Sequence, residues 1–220
     1  KKENLAKDFW LVTFEFENDY PFLAGQYVSL KVAADGTRRS YSIASAPNGK
    51  RLQLMVDVGP MGVGSKYILG LEVGDNVEVL GPLGRFILGE ATKNVLFVAT
   101  GSGIVPFRPM IRELLEKRSF TDEIHLDWGM RYEEDLFWTD EFKKLETDHP
   151  NFRFDVVLSK PTKEWSACSG HVNDCLVKHR TSWEGWEVFL CGSQQMIEEV
   201  ATLLSGLGVV KEDIHFEKFF

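Results

Sequence analysis

Val95-Leu96-Phe97-Val98-Ala99-Thr100-Gly101-Ser102-Gly103-Ile104-Val105-Pro106 decides how this chain is read. Five consecutive apolar residues ended by a glycine turn describe a strand buried on both faces. Phe107, Met110, Ile111, Leu114 and Leu115 follow at helical spacing. A strand, a glycine turn and a helix place Thr100, Gly101 and Gly103 at the carboxyl end of the strand, where open α/β sheets take up ligands. The glycines let a dinucleotide pyrophosphate approach the backbone. Pro106 stands where the usual Gly-x-Gly-x-x-Gly fingerprint has its third glycine, so the turn taken alone is equally a plain strand–helix connection.

Downstream the same rhythm repeats. Residues 124–128 and 154–158 read as strands, with a helix over 135–145 between them. A shorter helix over 172–177 leads to a strand at 188–191. Met196, Ile197, Val200, Leu203 and Leu204 then form a helical stripe, with Gly206 expected as its C-cap, and 214–216 supply a last strand. Strands alternating with helices imply a mostly parallel sheet covered on both faces.

Upstream the period changes to two. Trp10, Val12, Phe14 and Phe16 alternate with Leu11, Thr13 and Glu15; Leu52, Leu54, Val56 and Val58 alternate with Gln53, Met55 and Asp57. Turn signals at Ala24-Gly25, Asp35-Gly36, Pro47-Asn48-Gly49 and Gly81-Pro82-Leu83-Gly84 separate short strands, the pattern of an antiparallel barrel or sandwich. The chain is therefore expected to hold a β domain over residues 1–90 and an α/β domain over 91–220.

Two segments of the β half carry chemistry. Arg39-Ser40-Tyr41-Ser42 sets a cation, an aromatic ring and two hydroxyls on one extended piece. The planar guanidinium fork suits a phosphate, although a surface Arg beside a packed Tyr is the commoner fate of such residues singly. Gly62-Val63-Gly64-Ser65 leads into Lys66-Tyr67-Ile68-Leu69, a short helix whose free amides and dipole attract phosphate. Ser65 adds a donor there or caps the helix, and both readings stand.

Composition narrows the classes. The 220 residues are 44% hydrophobic and 26% charged, a globular balance long enough for two modest domains. A net charge of −8 with no basic stripe argues against nucleic acid as a partner. No apolar run approaches the ~18 residues that a membrane span requires. The abrupt start at Lys1, without an apolar signal core, is expected of a chain trimmed at its N-terminus. Three cysteines, Cys168, Cys175 and Cys191, are too few to ligate an iron–sulfur cluster alone, and the odd count favours a reducing cytoplasm. Cys168 and Cys175 are expected as ordinary thiols. His125, His149, His171, His179 and His215 include no metal-binding pair at helical spacing, so no metal site is expected. Trp165, Trp183 and Trp186 lack basic interleaving and read as packing.

Ala24-Gly25-Gln26-Tyr27, Arg39-Ser40-Tyr41-Ser42, Gly62-Val63-Gly64-Ser65, Gly81-Pro82-Leu83-Gly84-Arg85-Phe86, Thr100-Gly101-Ser102-Gly103, Cys191-Gly192 and Glu217-Lys218-Phe219-Phe220, in this order, resemble the ferredoxin–NADP reductase superfamily. That resemblance covers nearly the whole chain. It implies an antiparallel Greek-key flavin-binding barrel followed by a parallel-sheet NAD(P)-binding α/β domain, with Gly-x-Gly-x-x-Pro as the expected turn. It also implies site roles. Arg39, Ser40, Tyr41, Ser42, Gly62, Gly64 and Ser65 would contact the flavin, with Arg39 on the pyrophosphate and Tyr41 against the isoalloxazine ring. Thr100, Gly101, Gly103, Cys191 and Gly192 would receive the nicotinamide coenzyme, with Ser159 and Lys160 at the ribose that carries or lacks a 2′-phosphate. Ser42, Cys191 and Glu217 would be the catalytic group, with Cys191 no nucleophile. Phe219 holds the place of a family tyrosine and either covers a ring or packs.

The implied activity is NAD(P)H-dependent reduction of FAD, rather than FMN, with electrons passed to a ferredoxin-like protein or partner redox domain. A flavin reductase that releases reduced flavin, and an electron-transfer piece of a larger complex, are the alternatives. Leu158-Ser159-Lys160-Pro161, with Trp165, Gly170 and Val172, is similar to the NADH-dependent oxygenase-reductase branch. Weak coenzyme discrimination with a slight lean to NADH follows.

Overall fold

The computed structural model describes residues 1–179 and 182–218 and divides into two units. The first comprises Lys1–Leu88 and Val105–Lys117, the second Gly89–Ile104 and Arg118–Phe220. In the first unit, strands β1 (Lys2–Ala6), β2 (Phe9–Glu15), β3 (Tyr27–Lys31), β4 (Arg38–Ser42) and β5 (Arg51–Asp57) precede helix α1 (Val63–Gly70) and strand β6 (Val79–Leu83). They form two antiparallel sheets, β1-β2-β5 and β4-β3-β6, with an Ile43–Leu54 bridge between their margins. Val12, Val28, Leu30, Ile43, Leu52, Leu54, Val56 and Ile68 fill one core inside these sheets. The alternation read at Leu52, Leu54 and Val56 is that of their inward face.

Strand β6 runs through Gly81-Pro82-Leu83, which the sequence reads as a turn. It pairs only with β3, and an edge strand tolerates a proline because one side of its ladder needs no N–H donor.

In the second unit all strands are parallel: β7 (Asn94–Thr100), β8 (Ile124–Met130), β9 (Phe152–Leu158), β10 (Cys168–Ser169), β11 (Trp186–Gly192) and β12 (Ile214–Lys218). Their order is β10-β9-β8-β7-β11-β12. Val95, Leu96, Phe97, Val98 and Ala99 are fully buried, as a strand covered on both faces requires. Helices α3 (Thr139–Asp148), α4 (Val172–His179) and α5 (Gln194–Gly206) belong to this unit. Helix α5 includes Gly206, the expected cap; the left-handed residue beyond its end is Gly208, at φ +97°, with Val209 N–H bonded to the Leu204 carbonyl. Trp183 and Trp186 pack in the core.

Helix α2 (Phe107–Arg112) follows β7 in sequence yet belongs to the first unit, with a π-helical turn after it. The reason lies in its side chains. Phe107 meets the Phe86 ring at 5.9 Å, and Arg108 Nη1 donates to the Ala44 carbonyl at 2.9 Å. Helical spacing reported a buried face correctly but could not say which core buries it.

Cys168 and Cys175 are not separate thiols: they form a disulfide. Cys168 sits on β10, opposite Val157 of β9, and α4 carries Cys175 into the core. The chain reverses between them at Gly170-His171, bringing their Cα atoms to 6.4 Å. A spacing of seven residues does not announce that reversal. Cys191 is the free cysteine, and it is buried.

Candidate functional site

In the first unit the candidate residues lie on β4 and at the start of α1. Alternation along β4 sets Arg39 and Tyr41 on one face and Ser40 and Ser42 on the other. Arg39 and Ser40 are exposed, Tyr41 is half-buried and Ser42 is buried opposite Tyr27. Burial pushes the Tyr41 phenol above its ordinary range, partly offset by the Arg39 charge, so the ring stays neutral at physiological pH.

Gly64 completes this face. A Cβ built on it would fall on the Tyr41 hydroxyl and lie 3.1 Å from Arg39 Cγ, so the absence of a side chain brings α1 against both residues. Helix α1 begins at Val63, with Gly62 as an N-cap that offers no side-chain acceptor. Its first amides therefore have neither intrahelical nor capping side-chain partners and suit an anion. Ser65 is a buried residue inside the helix, which rules out the N-cap alternative. At the opposite end, Lys2 Nζ donates to the Leu69 and Leu71 carbonyls at 2.8 Å each, matching a cation to the negative end of the dipole. That cap leaves no local signal, because 67 and 69 residues separate the partners. An exposed guanidinium, a neutral aromatic face and a bare helix start fit a phosphorylated ring cofactor.

In the second unit the candidates converge where the strand order reverses. The chain runs outward from β7 through β8, β9 and β10, then returns to β11 on the other side of β7. The carboxyl ends of β7 and β11 thus flank a topological switch point, the ligand crevice of open α/β sheets. Thr100 ends β7 and Gly101 opens the 3-10 turn after it; Cys191 and Gly192 end β11. A Cβ on Gly103 would strike the Cys191 carbonyl, and one on Gly192 would strike Thr100 Oγ1. Both glycines are required by backbone approach. Thr100 reaches both neighbours: its methyl would lie 3.1 Å from a Cβ on Gly129 of β8, and its hydroxyl accepts from the N–H of Ser193, the residue after β11, at 3.3 Å.

Cys191 and Glu217 are register partners on β11 and β12. Burial, and then the neighbouring Glu217 charge, push the Cys191 thiol well above its ordinary range, which disfavours the thiolate. Ser42 belongs to the first unit, Cys191 and Glu217 to the second. Phe219 lies outside the described residues. Ser159 and Lys160 are exposed after β9, and their amides donate to the Met130 and Arg131 carbonyls at 3.0 and 2.9 Å. Arg131, the residue after β8, is a second exposed cation on the segment bonded to Lys160. Its position one residue past a strand's carboxyl end, like that of Ser159, was the available signal. Among the described residues no three His, Cys, Asp or Glu side chains group to hold a metal, and no helix is long and apolar enough to cross a membrane.

A glycine turn at a topological switch point in one unit, and a phosphate-suited strand and helix start in the other, fit two phosphorylated ligands. Comparison with known proteins gives the family. Residues 1–87 match the oxidoreductase FAD-binding domain and residues 97–202 the oxidoreductase NAD-binding domain. Ferredoxin–NADP reductase B of Sorangium cellulosum is 34% identical over 94% of this chain and 90% of its own length. The anthranilate 1,2-dioxygenase electron transfer component of Acinetobacter baylyi is 34% identical over 90% of this chain and 58% of its own. The crystal structure of the Amycolatopsis cytochrome P450 reductase GcoB superposes with a TM-score of 0.92 at 32% identity, covering all of this chain and 67% of that one. The chain belongs to the ferredoxin–NADP reductase superfamily and carries FAD- and NAD(P)-binding domains. It spans 54–60% of the length of several relatives, dioxygenase electron transfer components and Na(+)-translocating NADH-quinone reductase subunits among them.

Proposed function

We propose that the chain takes hydride from NADH or NADPH onto FAD and passes electrons to a ferredoxin-like protein or partner redox domain. The observation that carries this reading is the pairing of two sites of different construction in one chain: the Arg39–Tyr41–Gly64 face and the Thr100–Gly103–Cys191–Gly192 crevice. When bound, the flavin supplies a ring that accepts two electrons as hydride and releases them singly. Arg39 and the α1 amides hold its phosphates, and Tyr41 lies along its ring. Gly101, where a Cβ would meet nothing within 4 Å, leaves the turn open to the coenzyme pyrophosphate. Cys191 offers a neutral, compact wall and Glu217 orients the nicotinamide or accepts a proton. Ser42 presents its hydroxyl to the flavin.

An anaerobic titration of the purified protein with NADH and NADPH tests the reading. Bleaching of a flavin absorption band is expected with either coenzyme; a colourless protein that does not take up FAD would sink it. Ser42→Ala, Cys191→Ala and Glu217→Ala are each expected to retain flavin and slow its reduction in stopped flow. Rates equal to the parent would remove the residue concerned from the site.

The electron-transfer-piece reading keeps its place because the chain spans only part of several relatives; co-purification of a redox partner would favour it. Loss of flavin on desalting would favour a flavin reductase. A cytoplasmic location rests on the need for reduced nicotinamide coenzyme and draws nothing from the cysteines, since two of the three are joined.

A further inference from the structure

Trp128 is fully buried on β8, opposite Ala99 of β7, and its indole Nε1–H donates to the Gly101 carbonyl at 2.9 Å. Gly101 is left-handed, at φ +56°, and a Cβ built on it would meet nothing within 4 Å. The turn is therefore open on that side, and the peptide that begins its 3-10 helix is oriented by the partners of the Gly101 carbonyl. The indole is itself held. Phe137 stands edge-on to it with ring centroids 5.0 Å apart, and Trp138 stands edge-on to Phe137, again at 5.0 Å.

We infer that Trp128 is a positioning residue for the nicotinamide coenzyme, locking the Gly101–Ser102 peptide plane. In a trans peptide the carbonyl oxygen and the next N–H point in opposite directions. A Gly101 carbonyl drawn toward a buried indole turns the Ser102 N–H away from it, in a helical turn whose first amides have no intrahelical acceptor. The ligand chemistry served is a phosphate oxygen of the dinucleotide. Phenylalanine would keep most of the ring packing but has no N–H to hold the carbonyl. The inference rests on the reading of the Thr100–Gly103 turn as the coenzyme site.

Trp128→Phe tests it through equilibrium binding of NAD+ by calorimetry, alongside steady-state kinetics. Loss of one hydrogen bond is expected to weaken NAD+ binding and raise the coenzyme KM about three- to tenfold. Flavin reduction at saturating coenzyme should stay within about twofold of the parent if the bond serves binding uniformly. Leu126→Ala, a buried neighbour on β8 not bonded to the turn, supplies the control: it should lower the melting temperature and leave coenzyme affinity unchanged. Unchanged NAD+ affinity in Trp128→Phe overturns the inference, as does an equal loss in Leu126→Ala, which would make the effect one of packing. A parent that binds NAD+ more tightly than Trp128→Phe yet reduces no flavin supports the inference and sinks the proposed hydride transfer instead.

Discussion

The two candidate regions, each proposed to hold a phosphorylated ring, are built by opposite means. The face on β4 and α1 works by what its side chains add: a guanidinium, a phenol and a helix start balanced at its far end by Lys2. The crevice at β7 and β11 works by what its side chains omit, because Gly103 and Gly192 leave room only for backbone. Charge sharpens the contrast. Lys and Arg nearly balance Asp and Glu in the first unit, and the acidic excess of the chain lies in the second. A cofactor that stays through turnover is suited by cations. A coenzyme that must leave after each hydride is suited by oriented amides in an acidic unit, where its own phosphates are not held by net attraction.

The largest effect expected from this difference is that of Gly103→Ala. Its Cβ would strike the Cys191 backbone carbonyl, which cannot move without shifting β11. A loss of about 3 kcal/mol or more is expected, with coenzyme-dependent reduction falling at least ~100-fold while FAD is retained. Gly64→Ala is the comparator. Its Cβ meets the far end of the rotatable Tyr41 side chain, so it should weaken FAD binding by only about tenfold and leave the fold intact. Melting curves and flavin content of both variants decide the matter. If Gly64→Ala proves the more destructive to the fold, the contrast between added and omitted side chains is wrong.

Arg39→Ala should come next. Removing a charged donor from a phosphate costs about 1.5–3 kcal/mol, tenfold or more in FAD affinity. Fluorescence titration of the apoprotein with FAD measures it. An unchanged affinity would mean that the first region, like the second, holds its ligand through backbone alone.

In both regions the sequence described local patterns and missed long-range partners. The strand-end position of Thr100-Gly101-Ser102-Gly103 was legible because an apolar run ended by glycines is a local pattern, whereas the strand order that makes it a switch point is not. Arg39 and Tyr41 were equally visible, being two residues apart on one strand. What escaped notice was non-local. The Lys2 cap on α1, the Trp128 bond to Gly101 and the Arg108 bond to Ala44 join residues 27 to 69 positions apart. Periodicity reports that a side chain is buried, not which partner buries it, and so α2 could not be assigned to the first unit from its stripe. The Cys168–Cys175 bond was missed for a related reason: its closure depends on a turn between β10 and α4 that leaves no signal in the spacing.

The smallest expected effect concerns the outer margin of the second region, where the rule of omitted side chains lapses. Lys160 follows β9 and Arg131 follows β8, two exposed cations on segments fastened together by the Lys160 amide at 2.9 Å from the Arg131 carbonyl. Lys160 is the cation that the proposed coenzyme site would offer to a 2′-phosphate. An ammonium meets phosphate as a point charge, not as a bidentate fork, and exposure lets water and salt screen it. One such pair is worth about 1 kcal/mol, under tenfold in affinity. Lys160→Ala should therefore raise the KM for NADPH severalfold and leave that for NADH unchanged, with the parent slightly favouring NADH. The NADPH effect should shrink further as salt rises. Steady-state kinetics with both coenzymes at two ionic strengths check this. A parent that prefers NADPH by a hundredfold would require a buried, charge-built phosphate pocket in the second unit, and the division between a cationic cofactor site and a backbone coenzyme site would fail.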